Sequence, residues 1–569
     1  MSPTSRSGGQ ILVDALAIHG VDTAFGVPGE SYLDVLDALH DSNIDFVINR
    51  QEGGAAFMAE AYGKLTGKPG ICFVTRGPGA TNAAIGVHTA YQDSTPMILF
   101  IGQVGLDFMD REAFQEIDYR RMYGQMAKWV TQIDRAERIP EYIARAFQVA
   151  TSGRPGPVVL ALPEDMLAAQ AVVADTRAYH AVQASPAASQ IEQLRAMLAD
   201  ARRPLLLLGG GTWTDAACAD VRRFAEANHL PVACAFRFQD LFDNAHPQYV
   251  GDVGIGINPK LAARVKDADL LIAFGPRLGE MTTSGYSLIE APVPKQRLVH
   301  IHPDPEELGS VYQAELMIAS GAPQAAGMLA AMAPVDAGAW RDSAAAGRAE
   351  LAAWQQRPPI FQDSVQPRPP LDLWQLVQEL QAAIPHDSII TNGAGNYATW
   401  AHRFYSYGPM RSQLAPTSGA MGYGVPAGVA AKIVDPARTV VTFAGDGEFM
   451  MNGQELATAV QYKAGVIIIV FNNSMFGTIR MHQERDYPGR VSGTALHNPD
   501  FAALAQAYGA HGEVVNTTAA FAPALARALE HTRAKSLPAL IELRYDGNLI
   551  TPGATLAAIR ANAEKAKQA

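Results

Sequence analysis

The chain predicts an α/β protein made of three doubly wound parallel-sheet units. Short apolar, β-branched runs alternate with helix-length segments from end to end, the pattern of parallel sheets covered by helices. With 569 residues the chain is too long for one core, and two polar or proline-marked stretches divide it.

In chain order, the first unit, residues 1–172, carries strands at TAFGV, DFVIN, GICFVT, PMILFIG and PVVLALP. The Ala-rich stretch from Ala174 to Gln190 has no strand pattern and reads as a linker. The second unit, 190–335, opens with RRPLLLLGGG and includes PVACAF, DLLIAFG and RLVHIHP. It fades into AWRDSAAAGRAELAAWQQRPPIFQDSVQPRPP, whose prolines mark the next boundary. The third unit, 370–548, contains SIITNG, VVTFAG, VIIIVFN and ALIELR. The last residues, 549–569, read as a short amphipathic helix or a frayed tail.

Composition narrows the function classes. At 48% hydrophobic and 18% charged the chain is an ordinary globular sequence, and a net charge of −11 gives no basic footprint for nucleic acid or an anionic membrane. No apolar run reaches the ~18 residues of a membrane helix. MSPTSRSGG lacks an apolar signal core, and Cys72, Cys218 and Cys234 have no paired metal spacing, so a cytoplasmic protein with reduced thiols is expected.

The chemistry concentrates between Gly445 and Asn473. A Gly-Asp-Gly turn follows the strand VVTFA and opens a helix, where glycines admit a diphosphate to the backbone and the helix N-terminus offers free N–H groups. Asp446 supplies a hard oxygen for Mg²⁺, and the next strand ends at Asn473, 27 residues later (473 − 446), with a second. Either half alone reads equally as a capped helix or a strand-ending turn; order and spacing together point to a metal diphosphate.

This segment resembles the thiamine diphosphate (ThDP) signature, and three α/β units in a row resemble the ThDP-dependent decarboxylase and carboligase superfamily. GPGATN, EAFQE, ATSGRPGPV, SGAMGYGVPA and FMMNGQELATAVQ are most similar to acetolactate synthase catalytic subunits and their relatives. The resemblance implies a pyrimidine-binding, a central and a diphosphate-binding domain. It implies Mg²⁺ on Asp446, Asn473 and the main-chain carbonyl of Met475. It implies cofactor contacts from Gly445 and Gly447, from the nest at Gly395, Asn396 and Tyr397, and from Gly419 and Met421, the last propping the cofactor into a bent shape.

In the first unit the resemblance assigns Pro28 and Gly29 of FGVPGE, and Pro78 and Asn82 of TRGPGATN, to the cofactor face. Glu52 follows a strand, opens a helix and is flanked by Gly53, Gly54, Ala55 and Ala56. A shielded carboxyl there would share a proton with the aminopyrimidine, although an acid at a helix N-terminus is also common on dipole grounds alone. Phe114 and Gln115 of EAFQE are candidates for the substrate channel. Since the family builds its site across a subunit interface, a homodimer or homotetramer is implied.

The chain departs from the resemblance at three places. His482 stands where many acetolactate synthases carry Trp, and Glu164 where a lysine is common. In the central unit the usual Arg-Phe-Asp-Asp is Arg277-Leu278-Gly279-Glu280. GGGTW, FGPRLGE and HIHPDP leave FAD open, since glycine turns occur in any doubly wound domain. The implied activity is decarboxylation of a small 2-oxo acid and transfer of the remaining unit to a second carbonyl. Alternatives within the superfamily are a 2-oxo acid decarboxylase, a cyclic diketone hydrolase or a 2-hydroxyacyl-CoA lyase; from another class, a noncatalytic scaffold. An NAD-linked oxidoreductase lacks its motif, because neither GAGNYA nor GGGTWT has the third glycine.

Overall fold

The structure, a computed structural model, describes residues 5–362 and 369–568. Residues 1–4 of the N-terminal segment, DSVQPR of the second boundary and Ala569 lie outside the described residues. The chain builds three six-stranded parallel sheets, one per unit. With the strands of each sheet numbered along the chain, the first and third sheets share the order 2-1-3-4-6-5, whereas the central sheet runs 3-2-1-4-5-6.

In such sheets ligands bind beyond the strand C-termini at the point where strand order reverses. In the first sheet this point lies between Thr23–Gly26 and Gly70–Val74, in the central one between Pro204–Leu208 and Leu270–Phe274. In the third it lies between Ile389–Asn392 and Val440–Gly445. The loops that leave these strands are FGVPGE and TRGPG, GGGTW and GPRLGE, GAGNY and Gly-Asp-Gly. These six glycine-bearing turns therefore sit at switch points, whereas SGAMGYGVPA follows the edge strand Gln413–Leu414.

The stretch 174–187 has no helix or strand, and His19 Nδ1 accepts from Tyr179 N at 3.1 Å, which pins it to the first unit. Beyond residue 335, Trp340 and Leu351 join the central core, the latter on the helix Ser343–Trp354. The C-terminal segment forms the helix Leu556–Gln568, packed on Gly477–Asp486.

First and third units are locked together by buried helices. Glu52–Thr66, almost wholly buried, packs between Pro78–Asp93 and Gly424–Val434. Polar residues set the register of this apolar contact. Lys64 pairs with Asp93 and donates to Ala415 O at 2.7 Å, and Asp93 accepts from Thr417 N at 2.7 Å, which fixes the loop leading to Gly419 and Met421. One turn back, Glu60 accepts from Thr95 (2.7 Å) and Tyr423 (2.6 Å), and burial pushes its carboxyl up to about 7.

In the opposite direction, Glu455 of the third unit is buried and accepts from the N–H groups of Arg50 (3.0 Å) and Gln51 (3.1 Å) and from Asn49 Nδ2 (3.2 Å). It thus holds the backbone that delivers Glu52. Glu455→Ala leaves these donors unpaired and should cost about 3 kcal/mol of stability. Urea unfolding checks this, and a midpoint equal to wild type would show that water replaces the carboxylate at no cost.

Candidate active site

Val440–Gly445 pairs in parallel with Ile467–Asn472, with Gly445 opposite Phe471, so Asp446 and Asn473 leave the sheet side by side. A cavity of about 250 Å³ opens at their ends, and all the residues that form it belong to the third unit or its C-terminal continuation. Gly445, Asp446, Gly447, Asn473 and Met475 line it together with Gly395, Asn396, Tyr397, Gly419 and Met421.

Asp446 is buried at 2% exposure. Its Oδ1 accepts from Gly447 N at 2.9 Å and its Oδ2 from Asn498 Nδ2 at 2.8 Å. Burial raises its pKa, and these N–H donors together with those of Ser474 and Met475 pull it back only in part. Among the described residues no Lys or Arg pairs with it. Ser474, with φ of 56°, makes the left-handed turn after Asn473. The first Asn of the pair supports the second from behind, since Asn472 donates to Glu542 at 2.8 Å and accepts from Asn498 at 3.0 Å.

Tyr397 contributes its ring, while its hydroxyl is occupied, donating to Glu448 and accepting from Gly393 N. A Cβ at Gly445 would come within 2.9 Å of that ring, which is why glycine is needed there. Asn396 is clasped by Thr478: its N–H donates to Thr478 Oγ1 at 3.1 Å and its Oδ1 accepts from the same hydroxyl at 3.0 Å. Thr478 lies on the helix Gly477–Asp486, which is fixed behind by Glu484. That carboxylate takes Arg560 of the C-terminal helix and Arg480, and these bonds hold it down at about 2. His482, on the same helix, lies outside the lining, and its buried Nδ1 has no partner among the described residues.

The first-unit candidates form a second cluster. Glu52 opens its helix, with Gln51 as cap, and its Oε2 accepts from Asn82 at 2.9 Å. The Pro78-Gly79 turn lies against it, and Pro28-Gly29 packs on Thr75. The segment 109–118, irregular as expected, lies on this turn: a Cβ at Gly77 would meet Gln115 at 2.7 Å, while Phe114 stays 73% exposed. Glu52 is half-buried, and no first-unit residue reaches the 250 Å³ cavity. One chain therefore holds two half-sites apart.

In the central unit Gly210 and Gly275 are packed against one another, since a Cβ at Gly210 would fall 1.9 Å from Gly275 O. Arg277 pairs with Glu307 at 3.1 Å, and His302 Nδ1 accepts from Asp304 N at 3.1 Å.

Sequence reasoning missed Asn498, Glu448, Glu542 and Tyr545. Glu448 stood within reach of the signature, two residues past Asp446; Asn498 in HNPDF carries no local sign beyond a helix about to start. Asn498→Ala removes a donor that orients both Asp446 and Asn472, and should weaken binding of ThDP with Mg²⁺, the ligands the resemblance implies here, by about 10–100-fold; calorimetry reads this directly, and an unchanged affinity would make the bond incidental.

Burial pushes the Glu448 carboxyl up to about 7 from an ordinary 4.5. Below pH 4.5 both folded and unfolded chains hold this proton; as pH rises towards 7 the unfolded chain loses it first, so stability falls across that window. Glu448→Gln should abolish this fall, worth on the order of 3 kcal/mol. Parallel stability-pH curves for variant and wild type from pH 4.5 to 8 would contradict it.

Comparison with known proteins bears on the whole chain. Residues 6–122 match the thiamine pyrophosphate enzyme N-terminal TPP binding domain, 191–329 its central domain and 393–543 its C-terminal TPP binding domain. The acetolactate synthase isozyme 2 large subunit of Escherichia coli (strain K12) is 33% identical over 509 residues, 89% of this chain and 90% of the relative. The probable acetolactate synthase large subunit of Methanocaldococcus jannaschii is 32% identical over 525 residues, covering 88% and 86%. Isozyme 3 of Escherichia coli (strain K12) is 31% identical over 558 residues, 95% of each chain. With both half-sites on the two domains that bind thiamine diphosphate in these families, the chain belongs to the thiamine diphosphate-dependent enzymes, among the homologues of acetolactate synthase large subunits.

Proposed function

We propose that the protein is a ThDP- and Mg²⁺-dependent carboligase acting on small 2-oxo acids. The observation that carries this reading is the convergence of Asp446, Asn473, Met475 and the Gly395–Tyr397 loop on one cavity at a switch point. Asp446 is a buried carboxylate without a cationic partner among the described residues, and one carboxylate with amide and carbonyl oxygens suits Mg²⁺ bridging to a diphosphate. Asp446, Asn473 and the Met475 carbonyl would hold the ion. The main-chain N–H groups of the Gly395–Tyr397 loop and of the helix start after Gly445 that are not spent on Thr478 and Asp446 would take the phosphates.

When bound, ThDP supplies a carbanion that adds to a 2-oxo carbonyl and acts as electron sink as CO₂ leaves. The chain's own part is to position and shield. Met421, between Gly419 and Gly422 with φ of 67° and 82°, lines the cavity and would support the cofactor there. Glu52 would hold a proton at the aminopyrimidine ring, a role that demands exclusion of water. Glu52 is half-buried in one chain, and apolar side chains stay exposed on the helices leaving both half-sites: Ile85 (43%), Met450 (53%) and Met451 (46%). A second copy placing its first unit over the Asp446 cavity would bury both, so the site is assigned to a homodimer or a tetramer of dimers. The three cysteines are free, in keeping with a cytoplasmic protein.

Groups that would suit FAD meet where the central unit adjoins the linker and the third unit. A cavity of about 350 Å³ beside Gly210 and Gly211 is lined by Arg237, Arg411, Gln183 and Gln324. Each carries a buried polar atom without a partner among the described residues. These groups fit a nucleotide. Flavin absorbance in the purified protein is expected; a colourless protein that binds no added FAD would assign the cavity to another ligand.

Glu52→Gln tests the catalytic assignment. It should keep the fold and most ThDP affinity while turnover of pyruvate falls about a thousandfold. Undiminished turnover would remove Glu52 from the mechanism, and products assayed by NMR from pyruvate alone and with aldehydes identify the reaction.

A further inference from the structure

Arg76, in the turn after Gly70–Val74, is 7% exposed and spends its whole guanidinium on the rim of the first-unit half-site. Its Nε donates to Phe114 O at 3.2 Å, its Nη1 pairs with Glu164 at 3.1 Å, and its Nη2 lies 3.6 Å from Glu30. Two carboxylates thus share one cation. Glu164 stands at the end of the strand Pro157–Pro163, where the resemblance puts a lysine, so the local charge is inverted there and the neighbouring cation is used up by the inversion.

The segment held by Arg76 adds to the imbalance. From Leu106 to Asp118 it carries Asp107, Asp110, Glu112, Glu116 and Asp118 against Arg111, with Arg121 just beyond pairing with Asp118 at 3.4 Å. Glu116 accepts from Asp110 N and Ala113 N, bonds that keep it ionised, and Asp165 beside Glu164 accepts from Leu106 N at 3.1 Å. On the helix Gly477–Asp486 of the third unit, Arg480 is turned onto Glu484. Phe114 and Gln115 therefore project from a net negative rim.

We propose that this rim selects an uncharged carbonyl, an aldehyde, over a second 2-oxo acid as acceptor of the transferred unit. The inference rests on the carboligase reading above. The donor loses its carboxylate as CO₂, whereas a 2-oxo acid acceptor keeps its negative charge through the bond-forming step. In balance, the donor carbonyl carbon breaks its bond to CO₂ and bonds the aldehyde carbon; the aldehyde oxygen takes a proton, giving a 2-hydroxy ketone with no net redox change. The rim acts alike on every encounter with a given donor, so it decides between acceptors. One unit of charge at about 4 Å is worth roughly fivefold in water and more where the rim is partly dry. Arg76 itself is a positioning residue, tying the Phe114 carbonyl to the rim.

The test uses the full chain loaded with ThDP and Mg²⁺, with pyruvate as donor and acetaldehyde and 2-ketobutyrate competing at equal concentration. Products are separated by chromatography, and CO₂ release with an artificial electron acceptor is measured in parallel. Wild type should form mainly the hydroxy ketone from acetaldehyde. Glu164→Gln, and the solvent-exposed Glu30→Gln, should each move the ratio several-fold towards the 2-ketobutyrate product, less so at high salt. Arg76→Lys, which keeps the charge but loses the fork, should instead lower turnover with both acceptors. CO₂ release with a wild-type preference for 2-ketobutyrate, or with a ratio that neither carboxylate variant moves, overturns this inference alone. Absence of CO₂ release from pyruvate overturns the carboligase reading together with it.

Discussion

The third unit is organised around a carboxylate that the fold buries and does not neutralise. Asp446 sits at the end of a strand whose parallel register fixes it beside Asn473, and every partner it has is an N–H dipole. A buried charge in that state is costly unless a cation completes it. The surrounding sequence follows from this requirement. Glycines flank the carboxylate to keep the cavity open, Ser474 turns through a left-handed conformation, and Asn498 bridges Asp446 to Asn472.

The second constraint is reciprocal support between the two units. Glu455 of the third unit holds the backbone before Glu52, and Lys64 with Asp93 of the first holds the loop before Met421. Each half-site is thus positioned by the other unit of its own chain, and each faces outwards. Stability and site geometry share one buried interface, so damage to its polar pairs should reach both halves.

Legibility in the sequence tracks burial. The strands read as apolar runs include all twelve interior strands of the three sheets. Within these three sheets the strands passed over are Trp129–Gln132, Tyr249–Asp252, Leu316–Ala319, Gln413–Leu414 and His511–Val515, each at a sheet edge. An edge strand is covered on fewer sides, so most of these patterns are short or half-polar; Asp45–Ile48 was read, whereas Leu316–Ala319, though apolar throughout, was passed over. The site divides in the same way. Glycine turns and the Asp446 to Asn473 spacing are local and legible, whereas Asn498 and Arg76 gain their roles from partners 52 and 88 positions away, which no window of sequence reveals.

The central claim is that the Asp446 cavity is completed by a cation carrying a diphosphate. Thermal unfolding of wild type and Asp446→Asn, with ThDP in Mg²⁺ and with ThDP in a chelator, tests it most directly. Ligand at about a hundredfold over Kd adds roughly 2.7 kcal/mol, a rise of several degrees in Tm. Wild type should show that rise with ThDP and Mg²⁺ and lose it in chelator, and Asp446→Asn should show none in either. An equal rise in chelator, or in the variant, would contradict the account.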